Sequence, residues 1–493
     1  GGRRFFWRSR YLMFLCHHKG SGGVFARWFK MLVQFQINDR IFLDSDCLEE
    51  LEKIFDVVKE DVHCLVILLT SQTFSRMWCA GEIVTAVNGA LFIAPVPSED
   101  FVPPNQEFYN RLDFAWPPLT VVALEECGVT IENIRTAYLH VCDLKMYPFD
   151  RLATANEQEQ VVEQVIADCQ HASRHARQGL CAVLPVSRGT ARGLRPRTFS
   201  DGAPPFALLG AGWEADTLLI ARILQSFLST LVEGEVSVLI CGCESFSQSR
   251  LRAARVLGVL LTRDILDDRD FAEVLTGCLQ RERAPEVVTI STSADFPFPG
   301  PDFYADVSDG IHFAARPRLP RRMSRMLTGY GNAMGAPPMA QRVASTISVA
   351  ALNLTGLVAP GLRKSALGTR TKSLGLITSD LTNRNIISDA DLATTYRTLF
   401  NCLALAFSPL ASRTKMKLEA AEIARRFQAV HANAVRNRRR ATVFVSGRPG
   451  AVGTGTASQD LGSVGSLSEV GSECEVGELP DAATSVARRH KTG

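Results

Sequence analysis

At 493 residues the chain is long enough for two to four domains of about 100–200 residues each. Apolar residues make up 46%, which excludes global disorder, and Lys+Arg (54) nearly balances Asp+Glu (51). A net charge of +3 gives no footprint for a nucleic-acid-coating protein, and the composition excludes a collagenous or coiled-coil chain.

In chain order, Arg3, Arg4, Arg8 and Arg10 precede the apolar run 11–16 in the manner of a secretory leader. Six apolar residues are too few for the hydrophobic region of one, so no leader is expected. Apolar runs at 11–16, 40–43, 63–69, 91–96 and 119–124 alternate with amphipathic stretches at 24–35, 48–58 and 74–87. Short runs unbroken by charge suit strands covered on both faces, and the alternation predicts a parallel sheet between helices. Helices expected at 130–143 and 156–172 close a first domain over 1–175. Residues 176–205, rich in Arg, Gly and Pro with no acid before Asp201, read as a linker.

The next part repeats the first. At an offset of 195, residues 97–109 (PSEDFVPPNQEFY) fall on 292–304 (TSADFPFPGPDFY) with six of thirteen identities, where chance gives about one. The same offset puts Ala26-Arg27 on Ala221-Arg222; an offset of 258 puts Tyr138 on Tyr396 and Leu152-Ala153 on Leu410-Ala411. The expected fold is therefore α/β, a doubly wound parallel five-stranded sheet of flavodoxin-like winding, duplicated in tandem, with extra helices after each copy. The second copy covers 206–305 and 379–430. Between them lies a basic insertion, 306–378, expected to be flexible, with ten Arg/Lys and no acid between Ile311 and Ser379. The tail, 431–493, opens on Arg436, Arg438, Arg439 and Arg440, turns Gly/Ser-rich and is expected to be disordered. Neither basic segment interleaves aromatics, so no nucleic-acid partner is expected. The uncharged stretch 343–360 carries Ser345, Thr346, Ser348, Asn353, Thr355 and Gly356, too polar for a membrane span. The thirteen cysteines form no CxxC pair and no Cys/His quartet at zinc spacing, as expected of reduced thiols in a cytoplasmic protein.

Ligands of doubly wound sheets bind at the carboxyl ends of the strands. Those ends carry Cys16-His17-His18-Lys19, then Asp44-Ser45-Asp46, then Thr70-Ser71-Gln72, followed by Ser75-Arg76-Met77-Trp78-Cys79-Ala80-Gly81-Glu82. On the residues alone, Glu82 is as readily a solvated helix carboxylate, Trp78 a core residue and His17-His18 a polar loop. Asp46 is placed to cap a helix over 47–58, with Glu49 and Glu50 suited to its first turn. No helix-spaced His or acid pair calls for a metal.

The segments 14–19 (FLCHHK), 41–51 (IFLDSDCLEEL) and 65–83 (LVILLTSQTFSRMWCAGEI) resemble those of a Toll/interleukin-receptor-type (TIR) domain, above all in the Trp78-Cys79-x-x-Glu82 spacing. The resemblance covers about residues 9–125. It implies that Glu82 is the catalytic carboxylate of an NAD+ nucleosidase, with NAD+ as substrate and no bound cofactor. Trp78, His17, His18, Lys19, Asp44 and Cys79 would then line the substrate site. The chemistry fits a carboxylate: expelling neutral nicotinamide builds oxocarbenium charge on the ribose, which a fixed negative group stabilises. The resemblance further implies signal transduction, in innate immunity or metabolism, through self-association with other TIR domains. A non-enzymatic TIR adaptor and a nucleotide sensor without turnover stand as alternatives.

In the second copy, Gly212, Trp213 and Glu214 replace His17, His18 and Lys19, the Asp44-Ser45-Asp46 segment falls near Gly242-Cys243-Glu244, and Arg269-Asp270-Phe271-Ala272-Glu273 replaces the Trp-Cys-x-x-Glu run. That copy is expected to be non-catalytic. Residues 210–215 fit the loose dinucleotide fingerprint GxGxx(G/A), without the acid about 20 residues on that would support it.

Overall fold

A computed structural model describes residues 10–47, 54–178, 206–212, 215–243, 246–314 and 387–446. The chain is α/β, with two parallel sheets. The first contains β1 (Tyr11–His17), β2 (Ile41–Phe42), β3 (Val62–Leu69) and β4 (Phe92–Pro97) in the order β2-β1-β3-β4. The second contains β5 (Phe206–Gly210), β6 (Val236–Ile240), β7 (Val256–Leu261), β8 (Glu286–Ser291) and β9 (Leu405–Ala406) in the order β6-β5-β7-β8-β9. Long helices follow the edge strands: Ala155–Gln178 in the first half and Arg413–Ser446 in the second.

The strands alternate faces, as their period of two demands. Met13 and Leu15 of β1 and Cys64, Val66 and Leu68 of β3 point into one core, which also takes Phe206 and Leu208 of β5 and the helices Lys19–Gln36 and Ala215–Leu231. The two sheets thus share one apolar layer. Phe14 and Cys16 point the other way, with Leu65, Ile67 and Leu69, onto the helices Met77–Asn88 and Ile131–Asp143. Ala207 and Leu209 do the same in the second half, against the helices Arg269–Leu279 and Asp389–Phe400.

Three expectations are corrected. Residues 119–124, expected as a strand, lie in the helix Pro118–Glu126: proline at its start presets helical φ, and Leu119 and Val122 are exposed rather than sandwiched. Among the described residues, the first sheet has four strands, not five. Tyr147 and Phe149 donate to the carbonyls of Pro95 and Pro97 at 2.9 and 2.8 Å, at the fifth position. The N–H and C=O of one strand residue project to the same side, so the two prolines offer that position acceptors but no donors, and no ladder forms. The second sheet has no proline there, and Ile290 and Ser291 pair with Leu405 and Ala406. Third, the long helix continues through 431–446, where the sequence suggests a disordered tail. The linker over 179–205, the insertion over 315–378, the tail beyond 446, Glu49, Glu50, Trp213, Glu214 and Glu244 lie outside the described residues. Among the described residues, no helix is long and apolar enough to cross a membrane.

Candidate functional site

β1 and β3 are the central neighbours of the first sheet, so their carboxyl ends meet where the strand order reverses. β1 ends on His17 and β3 on Leu69, followed by Thr70. The 3-10 turn Thr73–Ser75 leads into the helix Met77–Asn88, which packs across this edge. Arg76, just ahead of that helix, donates to the His17 carbonyl at 2.7 Å, and the Cys79 thiol reaches the same oxygen at 3.2 Å. These contacts pin the helix start to the end of β1.

Glu82 comes one turn later and is 4% exposed, its Oε2 without a hydrogen-bond partner among the described residues. Burial raises its pKa to about 8, against the lowering effects of a Cys16 hydrogen bond and of the Arg76 and Lys19 charges; Asp44 adds to the rise. Cys16 is fully buried, and burial, together with Cys79 and Glu82, pushes its thiol well up. In this conformation the group at neutral pH is a carboxylic acid beside two thiols.

His17 is buried; its Nδ1 donates to the Leu15 carbonyl at 3.1 Å and its Nε2 lies 3.7 Å from Asp44. Burial lowers its pKa, with Arg76 and Lys19 adding to the fall and Asp44 opposing it. Lys19 reaches the second Asp44 oxygen at 3.3 Å from an exposed position. His17, Lys19, Asp44, Cys79 and Glu82 are therefore gathered at one sheet edge.

Two other candidates point elsewhere. His18 caps the helix Lys19–Gln36, its Nδ1 accepting from the Ser21 amide at 3.1 Å. Trp78 packs on Phe55, ring centroids 5.7 Å apart, and a Cβ on Gly81 would sit 2.2 Å from the same Phe55 ring. Phe55 thus lies against the backbone next to Glu82, an approach that only glycine allows. Asp46 is corrected as well: it belongs to the short helix Asp44–Cys47 and accepts from Arg27 at 2.5 Å and Lys30 at 2.9 Å.

Cys16 and Arg76 are the residues that motif reading passes over. Strand parity carries the signal for Cys16, since Phe14 and Cys16 share the face that meets the Glu82 helix. The Cys16 and Cys79 sulfurs and a Glu82 oxygen lie within 4.8 Å of one another. Two thiols and a carboxylate are donors for a soft divalent ion, one short of a closed tetrahedron. They come from two separate elements, and so sequence spacing hides them.

Among the described residues, the second half lacks this arrangement. Glu273, which the sequence offers as the counterpart of Glu82, pairs with Arg269 at 2.8 Å near the surface, and the sixth residue of that helix is Val274 where the first half has Glu82. A Cβ on Gly212 would meet the Cys241 carbonyl at 1.8 Å, so this fingerprint glycine serves chain packing.

No family model matches the chain, and no curated protein matches it either. Among solved structures it is similar to one described as "Putative sugar binding protein from Salmonella typhimurium LT2". The identity is 11% over 62% of this chain and 87% of that one, with a TM-score of 0.17, too low to carry an argument about fold or function.

Proposed function

We propose that the chain is a tandem TIR-type signalling protein whose first half hydrolyses NAD+ to nicotinamide and an ADP-ribose product. The observation that carries this reading is the burial of Glu82 at the carboxyl edge of β1 and β3, within electrostatic reach of Arg76, Lys19 and Asp44. In the reaction the ribose C1–N bond breaks and its electron pair leaves with neutral nicotinamide. Ionised Glu82 faces the oxocarbenium that remains, and water adds to C1 and gives up a proton. Lys19 and Arg76 suit the pyrophosphate. Asp44 and His17 hold Lys19 and the strand end in place. The ionised form of Glu82 is the working one, so turnover rises with pH toward about 8.

The duplication is supported by matching features 258 residues apart. Thr130–Asn133 and Ser388–Asp391 are both reciprocal capping boxes, and the Phe149 and Phe407 amides both reach the last residue of the fourth strand of their sheet, Pro97 of β4 and Ser291 of β8, at 2.8 Å. The alternative, a non-enzymatic adaptor working through TIR–TIR contact in the cytoplasm, draws support from exposed Phe114, Leu119 and Val122.

The test incubates the full chain with NAD+ beside a Glu82→Gln variant. Nicotinamide release by the parent that disappears in the variant is the expected result. No release by the parent, even when it is crowded on a surface, favours the adaptor.

A further inference from the structure

A cavity of about 260 Å³ opens where the two halves meet, away from Glu82. Its walls include Arg27, Lys30 and Asp46 from the first half, Phe227, Arg413 and Met416 from the second. Arg27 and Lys30 are only 3% and 6% exposed, yet they share one carboxylate oxygen, Asp46 Oδ2. Two cations withdrawn from water against one anion leave an excess positive charge, an arrangement costly without a further partner. Arg27 Nε is buried and has no hydrogen-bond partner among the described residues, and neither has the other carboxylate oxygen, Asp46 Oδ1, which would accept from a protonated ligand oxygen. Arg413 adds a third cation, at the start of the helix Arg413–Ser446, whose amino end favours negative charge.

The opposite side of the same junction shows how the matching arginine is closed off without a cavity. Arg222 donates to the Ala153 carbonyl at 2.8 Å and to Gln158 Oε1 at 2.5 Å. Arg27 donates to the Ala411 carbonyl at 3.0 Å. Five residues beyond Ala153 stands Gln158; five beyond Ala411 stands Met416, which accepts nothing from Arg27. Asp46 Oδ2 does for Arg27 Nη1 what Gln158 Oε1 does for Arg222 Nη1, and Ser45 Oγ accepts from Nη2 at 3.1 Å, so the donor left over at the cavity is Arg27 Nε.

We propose that this cavity binds a small phosphate monoester. Its phosphate oxygens meet Arg27 Nε, Lys30 and Arg413, while the organic group lies on Phe227 and Met416. The volume is at the small end of ligand sites, below what a whole dinucleotide needs, which keeps this site separate from the one proposed for NAD+. It does not depend on the nucleosidase reading.

The experiment titrates the full chain with phenyl phosphate and, separately, with inorganic phosphate, by calorimetry at constant ionic strength. Met416→Gln places an amide oxygen on the cavity wall that Met416 shares with Arg27, where it competes with the ligand, and Arg413→Gln removes a surface cation without touching the core. The expected result is one phenyl phosphate per chain, bound at least about tenfold more weakly by Met416→Gln and several-fold more weakly by Arg413→Gln. Weaker binding of inorganic phosphate assigns the difference to the apolar wall; equal binding assigns the site to the free anion. Absence of binding by the parent, or undiminished binding by both variants, overturns the proposal. Should Met416→Gln fail to fold, Arg413→Gln decides alone.

Discussion

Arg27 and Arg222 stand at corresponding places on the two helices that join the sheets, yet they are satisfied differently. Arg222 is closed off by Gln158 and the Ala153 carbonyl, while Arg27 turns to Asp46 and borders a cavity. The contrast recurs at the sheet edges, where Glu82 is buried beside Cys16 and Cys79 and the corresponding helix position of the second half is Val274. Backbone winding is common to both halves; the polar groups held inside are not. Apolar layers tolerate many side chains of similar volume, whereas a buried polar group needs one specific partner, so the polar interior is where two halves of like winding diverge.

The largest expected effect separates the two candidate carboxylates. Glu82→Gln should lower nicotinamide release by about a hundredfold to a thousandfold, in line with removing a charge that faces the transition state. Glu273→Gln, which breaks a half-exposed pair with Arg269, should leave it within about twofold. The reverse pattern would move the chemistry to the second half.

Stability should carry the next largest signature. Glu82 holds its proton more tightly folded than unfolded, with a pKa of about 8 against 4.5. Its contribution is therefore complete below about pH 4.5 and lost as pH rises through about 8, a change on the order of a few kcal/mol. His17 works in the opposite sense: its folded pKa is lowered by burial, so protonation as pH falls below 6.5 favours the unfolded chain. Urea midpoints of the parent and Glu82→Gln across this range should differ in slope, with the variant losing the decline toward high pH. Identical curves would place Glu82 in water.

Gly81→Ala should cost about 1–3 kcal/mol, because the new methyl overlaps the Phe55 ring. Phe55 must then leave Trp78, and the indole emission should shift to longer wavelength. An unshifted spectrum at unchanged stability would mean that Phe55 does not cover the Glu82 helix.

Much of this architecture is legible from residue order. The alternation of apolar runs and amphipathic stretches anticipates β1, β3, β4 and their helices, because strands covered on both faces need unbroken apolar residues. The fifth position of the first sheet is misread for a local reason. The run 119–124 is apolar enough for a strand, but Pro117 and Pro118 start a helix there, and Pro95 and Pro97 deny the edge its donors. At the site, the segments at the strand ends bring together His17, Lys19, Asp44, Cys79 and Glu82. The direction of a side chain within such a segment is a tertiary matter: His18 turns to a helix cap, Trp78 to Phe55 and Asp46 to Arg27. The Arg27 cavity is invisible in sequence, because its walls come from Arg27, Asp46, Phe227 and Met416, which only the packing of separate elements brings together.

The smallest effect tests whether the halves behave as one body. Tyr138 donates to the Phe74 carbonyl at 2.9 Å and Tyr396 to the Ile265 carbonyl at 2.5 Å, both from fully buried rings. Each Tyr→Phe change removes one donor and leaves a buried carbonyl short of a partner, at a cost of about 1–2 kcal/mol. The two tyrosines lie in separate outer cores, so the costs should add within about 0.5 kcal/mol in the double variant. Both outer cores flank the shared central layer, so each single variant should shift one common unfolding transition rather than split it. A transition that separates in Tyr138→Phe but not in Tyr396→Phe would show that the first half can come apart while the second stays folded, and that the shared layer binds the halves less tightly than its apolar area implies.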